Sequence, residues 1–243
     1  MGRLPGISLD LSLCGATSRG EVLQWEARRV TAVARKLGVP LPTSDISSQR
    51  QALLDAKLSF GSDRLRRRLA SEVRWSDRMA HAMVAIRPAA RRTSVCRIRA
   101  DSGTATEFSA WLTERMSVGD AAALLGACPD HYVIEQSADR GQVVLETTGG
   151  SPLAALFYID YEDVSSLVTP ADPAFSYQIA GVARAEDGAP IGGVRHQFRD
   201  VDTGGFEGCL TVEFPRFSLP FMLREHEWHL ACEFSNWIEA SLQ

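Results

Sequence analysis

Apolar residues in the first part of the chain recur at the spacing of an α-helix. Between Val22 and Leu37 they lie three or four positions apart, which predicts one helix that ends at Gly38, shortly before Pro40. We therefore interpret residues 1–88 as an N-terminal helical region, with a connector at 87–92 that carries Pro88. Two further helices are predicted in it, from Ser47 or Ser48 to about Phe60 and from Ser62 or Asp63 to Met79.

Beyond the connector the pattern changes to the alternation of apolar and polar positions that is typical of strands. Strands are predicted at 93–99, 131–136, 142–148, 154–161, 175–185, 192–199 and 206–214, short helices at 105–116 and 118–127, and a long helix at 221–242. This order resembles that of the Bet v 1 and START-like helix-grip fold. We predict an α+β chain in which residues 89–243 form a helix-grip domain, a curved antiparallel sheet closed over a cavity by the C-terminal helix. The alternative is a generic antiparallel α+β layer.

Composition excludes several classes of protein. With 243 residues, 45% of them apolar, the chain can bury a sizeable core. No stretch approaches the roughly 20 apolar residues of a membrane-spanning helix, and residues 1–14 lack the features of a secretory signal. The five cysteines are scattered and form no CxxC pair. We therefore expect a cytoplasmic protein with reduced thiols and no membrane partner.

The charges are unevenly distributed. Residues 1–100 hold 19 Lys and Arg against 8 acids, and residues 101–243 hold 7 against 22, so the two parts carry +11 and −15. This split is compatible with a nucleic-acid-binding arm, or with two regions that attract each other within a chain or across a dimer. The arginine run at 64–68 has helical spacing with apolar partners and no nucleic-acid-binding motif. We therefore predict an interface, in a homodimer, and no nucleic-acid partner.

The last predicted helix carries polar groups on its apolar face. At about 100° per residue, His226, His229, Glu233 and Trp237 share a face with Met222, Leu223 and Leu230. Burying imidazoles and a carboxylate there is unfavourable unless each is paired or bound to a metal ion. His229 and Glu233, one turn apart, have the spacing of a two-ligand arm. His226 is an alternative ligand or a proton-transfer group, and a hydrogen-bonded His–Glu pair in the core is the alternative without metal.

Other metal-ligand candidates lie on the predicted strands. His131 opens one strand, Glu146 lies on the next, and His196 lies on a later one. Two histidines and two carboxylates would give zinc a neutral four-ligand set. In the alternative interpretation His131 only begins its strand, Glu146 faces solvent, and His196 pairs with Asp200.

Four short segments together resemble the diacetylphloroglucinol hydrolase family. They are Cys128-Pro129-Asp130-His131, Glu146-Thr147-Thr148-Gly149-Gly150, Gly193-Val194-Arg195-His196 and the segment 229–236 that begins with His229 and contains Glu233. The resemblance spans about residues 105–240 and implies a Bet v 1-like domain that binds zinc through two His and two Glu. It implies His131, Glu146, His229 and Glu233 as the ligands, with Glu162 as a rival to Glu146. The chain departs from the family in retaining only Trp111 of a Trp-rich stretch, and in its short hairpin after His131.

The resemblance also implies an activity, the hydrolysis of a carbon–carbon bond between an acyl group and a phenolic ring. We expect a zinc-dependent hydrolase acting on an aromatic, polyketide-like or 1,3-dicarbonyl compound, with His196 or His226 moving the proton. The alternative is a metal-free helix-grip protein that binds a lipid or polyketide, or a polyketide cyclase. The expected substrate contacts are Trp237 and the tyrosines Tyr132, Tyr158, Tyr161 and Tyr177.

Overall fold

The computed structural model describes residues 6–86 and 90–243, which form one antiparallel sheet of nine strands and five α-helices. The strands are β1 Ile7–Leu11, β2 Gly15–Ser18, β3 Arg91–Ala100, β4 His131–Ser137, β5 Gly141–Glu146, β6 Ala155–Asp160, β7 Tyr177–Arg184, β8 Pro190–Asp200 and β9 Phe206–Pro215. The helices are α1 Arg19–Leu37, α2 Ile46–Ile86, α3 Ala105–Val118, α4 Ala121–Gly126 and α5 Pro220–Ser241, with a 3₁₀ turn at Thr148–Gly150. The strand order is β2-β1-β3-β9-β8-β7-β6-β5-β4. The predicted α+β class is confirmed.

Helix α1 lies where the apolar spacing predicted it. Ser18 caps its start by accepting the Glu21 N–H, and the Glu21 carboxylate accepts the Ser18 N–H in return, so two backbone donors are satisfied. Gly38 ends the helix with a φ of 62°, a left-handed conformation that favours glycine. Strands β3 to β9 and helix α5 also coincide with their predicted positions, apart from small differences at their ends.

The N-terminal region is not wholly helical, which corrects the sequence interpretation. Strands β1 and β2 form a hairpin at the sheet edge, where Leu9 of β1 pairs with Ile98 of β3. Leu9 and Leu11 are buried while Asp10 between them is exposed, which is the period of a strand. With five and four residues, the two strands are too short to give a strong sequence signal.

The two helices predicted after α1 form the single segment α2, interrupted at Gly61, whose φ of 69° is non-helical. Its start also differs from the prediction, because the Asp45 carboxylate accepts the Ser48 N–H and Ser47 and Ser48 do not act as caps. Residues 87–89, which include Pro88 of the predicted connector and the predicted domain boundary, lie outside the described residues.

Helices α1 and α2 share a hydrophobic core with the sheet. Val133 of β4 and Leu145 of β5 are buried against them. Three ion pairs, Arg19–Glu239, Arg29–Asp130 and Arg66–Glu135, join the basic part of the chain to the acidic part. The opposite charges therefore meet within one chain, and the homodimer stays a prediction. The helical residues of this core are Val30, Val33, Ala34, Leu37, Leu53, Leu65 and Leu69.

The other face of the sheet encloses the main core and a cavity. Helices α3, α4 and α5 pack there, and Ser94 of β3 donates a hydrogen bond to the carbonyl of Leu223 in α5. A cavity of about 430 Å³ lies between the sheet, α5 and the second half of α2. Within the described ranges, no helix combines the length and the apolar character needed to cross a membrane.

Candidate metal centre

Two sheet residues and two helix residues converge at one wall of the cavity. His131 is the first residue of β4, and its register partner Glu146 is the last residue of β5. His229 and Glu233 lie one turn apart on α5, on the face that packs against the sheet. All four side chains are buried and all line the cavity. The predicted ligand set is therefore brought together.

The distances among the four side chains are close to those of a metal site. From His131 Nε2, His229 Nε2 and Glu233 Oε2 lie at 3.0 Å and Glu146 Oε2 at 3.9 Å. From His229 Nε2, Glu233 Oε2 lies at 3.5 Å and Glu146 Oε2 at 3.8 Å. Tetrahedral zinc with bonds near 2.0–2.1 Å places its ligand atoms about 3.3 Å apart. By these five distances, His131, His229 and Glu233 already lie at ligand spacing, and Glu146 lies slightly farther from both imidazoles.

The outer contacts of both imidazoles direct the Nε2 atoms to the centre. His131 Nδ1 lies 2.9 Å from the Leu124 carbonyl oxygen, so a neutral ring carries its proton on Nδ1 and presents the Nε2 lone pair to the centre, whereas a protonated ring donates from Nε2 to Glu233. His229 Nδ1 lies 3.7 Å from Cys128 Sγ. Thr148 donates its hydroxyl to Glu146 Oε1. Outer hydrogen bonds of this kind fix the orientation and tautomer of metal ligands.

The pKa values of the two buried carboxyl groups shift in opposite directions. Burial raises the pKa of Glu146 more than the nearby imidazoles lower it. Burial also tends to raise the pKa of Glu233. The hydrogen bonds from His131 and His229 have the larger effect and hold that pKa far below the usual range. Burial lowers the pKa of His229, yet the Cys128 sulfur and the facing carboxylates reverse this and raise it. The centre therefore binds positive charge, as protons or as a cation.

Two overlapping groups of buried side chains offer further ligand atoms, since the atoms in each lie within 4.8 Å of one another: Cys128, His131 and His229, and Glu146, His226 and His229. Cys128 faces Nδ1 of His229, on the ring edge away from the centre, and burial raises the pKa of its thiol well above the ordinary value. His226 Nε2 lies 4.0 Å from Glu146 Oε1. His226 is thus adjacent to the centre and keeps the alternative role of a ligand.

The two predicted proton-transfer residues both line the cavity. Burial lowers the pKa of His196 to about 4, and burial together with the neighbouring His229 lowers that of His226. Among the described residues, neither Nδ1 atom has a hydrogen-bond partner. Asp200 accepts the Ala105 N–H and lies four residues beyond His196 on β8, about 13 Å along the strand, so the two do not pair. Both imidazoles are therefore neutral groups with nitrogen atoms that a ligand can use.

The predicted substrate contacts are mostly misplaced. Trp237 lines the cavity, and its Nε1 donates to the Ala123 carbonyl. Tyr132 is buried in the core beneath α1 and α2 and bonds to Thr147, because its side chain lies on the opposite face of β4. The tyrosines Tyr158 and Tyr177 also lie outside the cavity lining, the first beneath the Arg140 guanidinium and the second bonded to Thr106. These placements correct three of the expected contacts.

Tyr161, one of the expected substrate contacts, lines the cavity, and so does Gln142, which the sequence interpretation did not assign. The Tyr161 hydroxyl donates to Gln142 Oε1 over 3.0 Å. The alternation of a strand could have predicted the position of Gln142. This residue lies four positions before Glu146 on β5 and therefore on the same face of the sheet. The rival ligand Glu162 is exposed in the turn after β6 and is not part of the centre.

Comparison with known proteins adds no family assignment. No family model matches the sequence, and no curated protein matches it at a significant level. What the geometry itself supports is a buried group of Cys, His and Glu side chains able to hold a metal ion, at the wall of a largely apolar cavity.

Proposed function

We propose that the chain is a zinc-dependent hydrolase that cleaves a carbon–carbon bond next to a carbonyl group, in an acylated phenol or a 1,3-dicarbonyl compound. The observation that carries the proposal is the convergence of His131, Glu146, His229 and Glu233 on one point of the cavity wall. Two imidazoles and two carboxylates suit zinc better than magnesium or calcium, which prefer oxygen ligands alone. The antiparallel order from β3 through β9 to β4, closed by α5, agrees with a helix-grip fold.

The reaction adds the elements of water across the bond that breaks. The acyl carbon gains the hydroxyl group and leaves as a carboxylic acid, while the ring carbon keeps the bonding electron pair and gains the proton. A bound zinc ion supplies Lewis acidity to the substrate carbonyl and to the attacking water. His131, Glu146, His229 and Glu233 would hold that ion.

The remaining polar residues of the cavity transfer the proton and hydrogen-bond the phenolic oxygens. His196 lines the cavity, and its Nδ1 has no hydrogen-bond partner among the described residues, so the ring is free to relay a proton from water to the ring carbon. Burial lowers its pKa to about 4, which keeps the imidazole neutral before the reaction. Tyr161 and Gln142 are placed to hydrogen-bond an oxygen substituent of the ring. The apolar side chains around them exclude bulk water, which strengthens these polar interactions.

The alternative function is a metal-free protein that binds or cyclises a polyketide in the same cavity. The volume of about 430 Å³ suits either function. The converging carboxylates favour the hydrolase, because a cavity built only for an apolar ligand would not need two buried acids beside two imidazoles.

The test measures metal content and turnover on the same preparation. Purified protein should contain about one zinc per chain by elemental analysis, and should release a carboxylic acid from a monoacylphloroglucinol or a 1,3-diketone. Chelation should stop the release and added zinc should restore it. Protein that takes up no zinc from a zinc-supplemented buffer, or zinc-loaded protein that hydrolyses neither compound class, would contradict the proposal.

A further inference from the structure

We propose that the end of the cavity between α2 and the start of α5 binds an alkyl chain of the substrate. The inference rests on the proposed function and deepens it. The preferred substrate is then an acylphenol or 1,3-dicarbonyl compound that carries a medium-length alkyl chain, and small acetylated compounds are poorer ligands.

Distance along α5 places this part of the cavity relative to the metal centre. Phe221 and His229 both line the cavity and are eight residues apart, which corresponds to about 12 Å of helix at 1.5 Å per residue. A reacting carbonyl held near His229 therefore leaves a channel of this length between the centre and the start of the helix. An aromatic ring bearing only acetyl groups would not fill it.

The walls of this channel are apolar and reach the surface. Met79 of α2, Leu219 and Phe221 line the cavity, yet their exposed fractions are 47%, 51% and 40%. Large apolar side chains that are exposed at the entrance of a cavity mark a binding site, because an apolar ligand in the cavity shields them from water. We define Met79, Met83, Leu219, Phe221 and Met222 as the channel residues.

Methionine is concentrated around the cavity. The chain has five methionines, and Met79, Met83, Met116 and Met222 all line it. Because methionine is unbranched and polarizable, it adapts its shape to flexible apolar ligands better than branched residues do. Three of these four belong to the channel, so this end suits a flexible chain more than a rigid ring.

The opposite end of the cavity is closed. Beyond Glu233 the wall is formed by Leu112, Phe234 and Trp237, which are 2%, 1% and 8% exposed. A ring can pack against these side chains, but a longer substituent cannot extend past them without displacing the core. The substituent therefore extends toward α2.

A binding series tests the inference without requiring turnover. The probes are 4-alkylresorcinols with ethyl, butyl, hexyl and octyl chains, titrated into the purified full-length protein by calorimetry. Each methylene that enters the channel should tighten binding roughly fourfold. An affinity that does not change with chain length would overturn the proposal.

A matched pair of variants locates the chain. Ala80 lines the cavity on α2, and Ala82 on the same helix is exposed and outside the lining. Ala80→Phe should weaken binding of the octyl compound at least tenfold more than that of the ethyl compound, whereas Ala82→Phe should weaken neither. Equal loss for both compounds in Ala80→Phe would place the chain elsewhere.

The two proposals fail in different ways. Chain-length-dependent binding without any carboxylic acid release would leave the channel assignment standing and refute the hydrolase. Hydrolysis of short acylphenols with no preference for longer chains, in binding or in kcat/KM, would refute the channel and leave the hydrolase standing.

Discussion

The guanidinium of Arg29 in α1 holds the carboxylate of Asp130, the residue immediately before His131, through two parallel hydrogen bonds of 2.8 and 2.6 Å. Asp130 is fully buried. Lys57 of α2 donates to the Pro129 carbonyl over 2.7 Å, and Asn236 of α5 donates to the Ala127 carbonyl over 2.7 Å. Three helices thus fix the segment that carries the proposed ligand His131, and the N-terminal helices contribute directly to the geometry of the candidate centre.

Removing Arg29 should therefore destabilise the fold and the metal centre together. Arg29→Ala leaves the Asp130 carboxylate buried and unpaired, which typically costs about 3 kcal/mol of unfolding free energy. The displaced His131 should reduce zinc affinity by about 10-fold or more, as outer positioning contacts do. Denaturant unfolding and competitive zinc titration measure the two effects.

Arg66→Ala is the matched control. Arg66 also forms an ion pair between a helix and β4, with Glu135, but both side chains are partly exposed to solvent. Such pairs contribute about 0–1 kcal/mol, and Glu135 lies far along β4 from His131. Equal losses of stability and zinc affinity in the two variants would show that Arg29 has no special role in positioning.

The sequence predicted the elements around the centre well, because each carried a strong local signal. Helix α1 has clear apolar spacing and a glycine stop, and glycines mark the connections that follow β4, β5, β7 and β8. The four proposed ligands were predicted as a set from the i, i+4 spacing on α5 and the resemblance of short motifs. Their convergence then follows from the pairing of β4 with β5.

Other features depend on long-range packing that a local pattern does not encode. The side of β4 on which Tyr132 lies is set by the bulge between His131 and Val133, where the register shifts. The hairpin of β1 and β2 is stabilised by pairing with β3, about ninety residues away in the sequence. The buried pairing of Arg29 with Asp130 joins residues 101 positions apart.

Replacing a ligand should remove the metal and keep the fold. His229→Ala and Glu233→Ala each delete one of four ligand atoms, so zinc content should fall from about one to below about 0.1 per chain, with hydrolysis abolished. His81→Ala is the control, since this histidine lies on α2 beside Asp77 and Asp187, away from the cavity. Elemental analysis with circular dichroism checks both expectations, and full zinc occupancy in the ligand variants would exclude the assignment.

Stability should rise with pH because of Lys57. Burial lowers its pKa to about 8, from 10.5 in the unfolded chain. Between these values the unfolded state binds one more proton than the folded state, so the unfolding free energy increases as pH rises from 8 to 10.5. Subtracting the same measurement on Lys57→Met isolates this contribution from other groups that titrate there. A difference between the two proteins that stays constant across this range would show that Lys57 has an ordinary pKa.

His196 should matter for turnover and not for metal binding. Its side chain lies on β8, opposite α5, in edge-to-face contact with Phe234 at a centroid distance of 4.9 Å. Among the described residues, no hydrogen bond or ion pair joins it to the four proposed ligands, whose atoms lie 3.0–3.9 Å from His131 Nε2, so His196→Ala should keep its zinc. Loss of a positioned proton-transfer group should lower kcat by about 10²- to 10⁴-fold.

The companion variant is His196→Gln, which preserves a polar group of similar size but cannot take up a proton near neutral pH. Its kcat should be as low as that of His196→Ala, with a KM closer to that of the unaltered protein, because the ligand contact is kept and proton transfer is lost. Zinc content and both kinetic constants are measured on each protein. Recovery of kcat in the glutamine variant would reduce His196 to a positioning contact, and loss of zinc from either variant would make it a metal ligand.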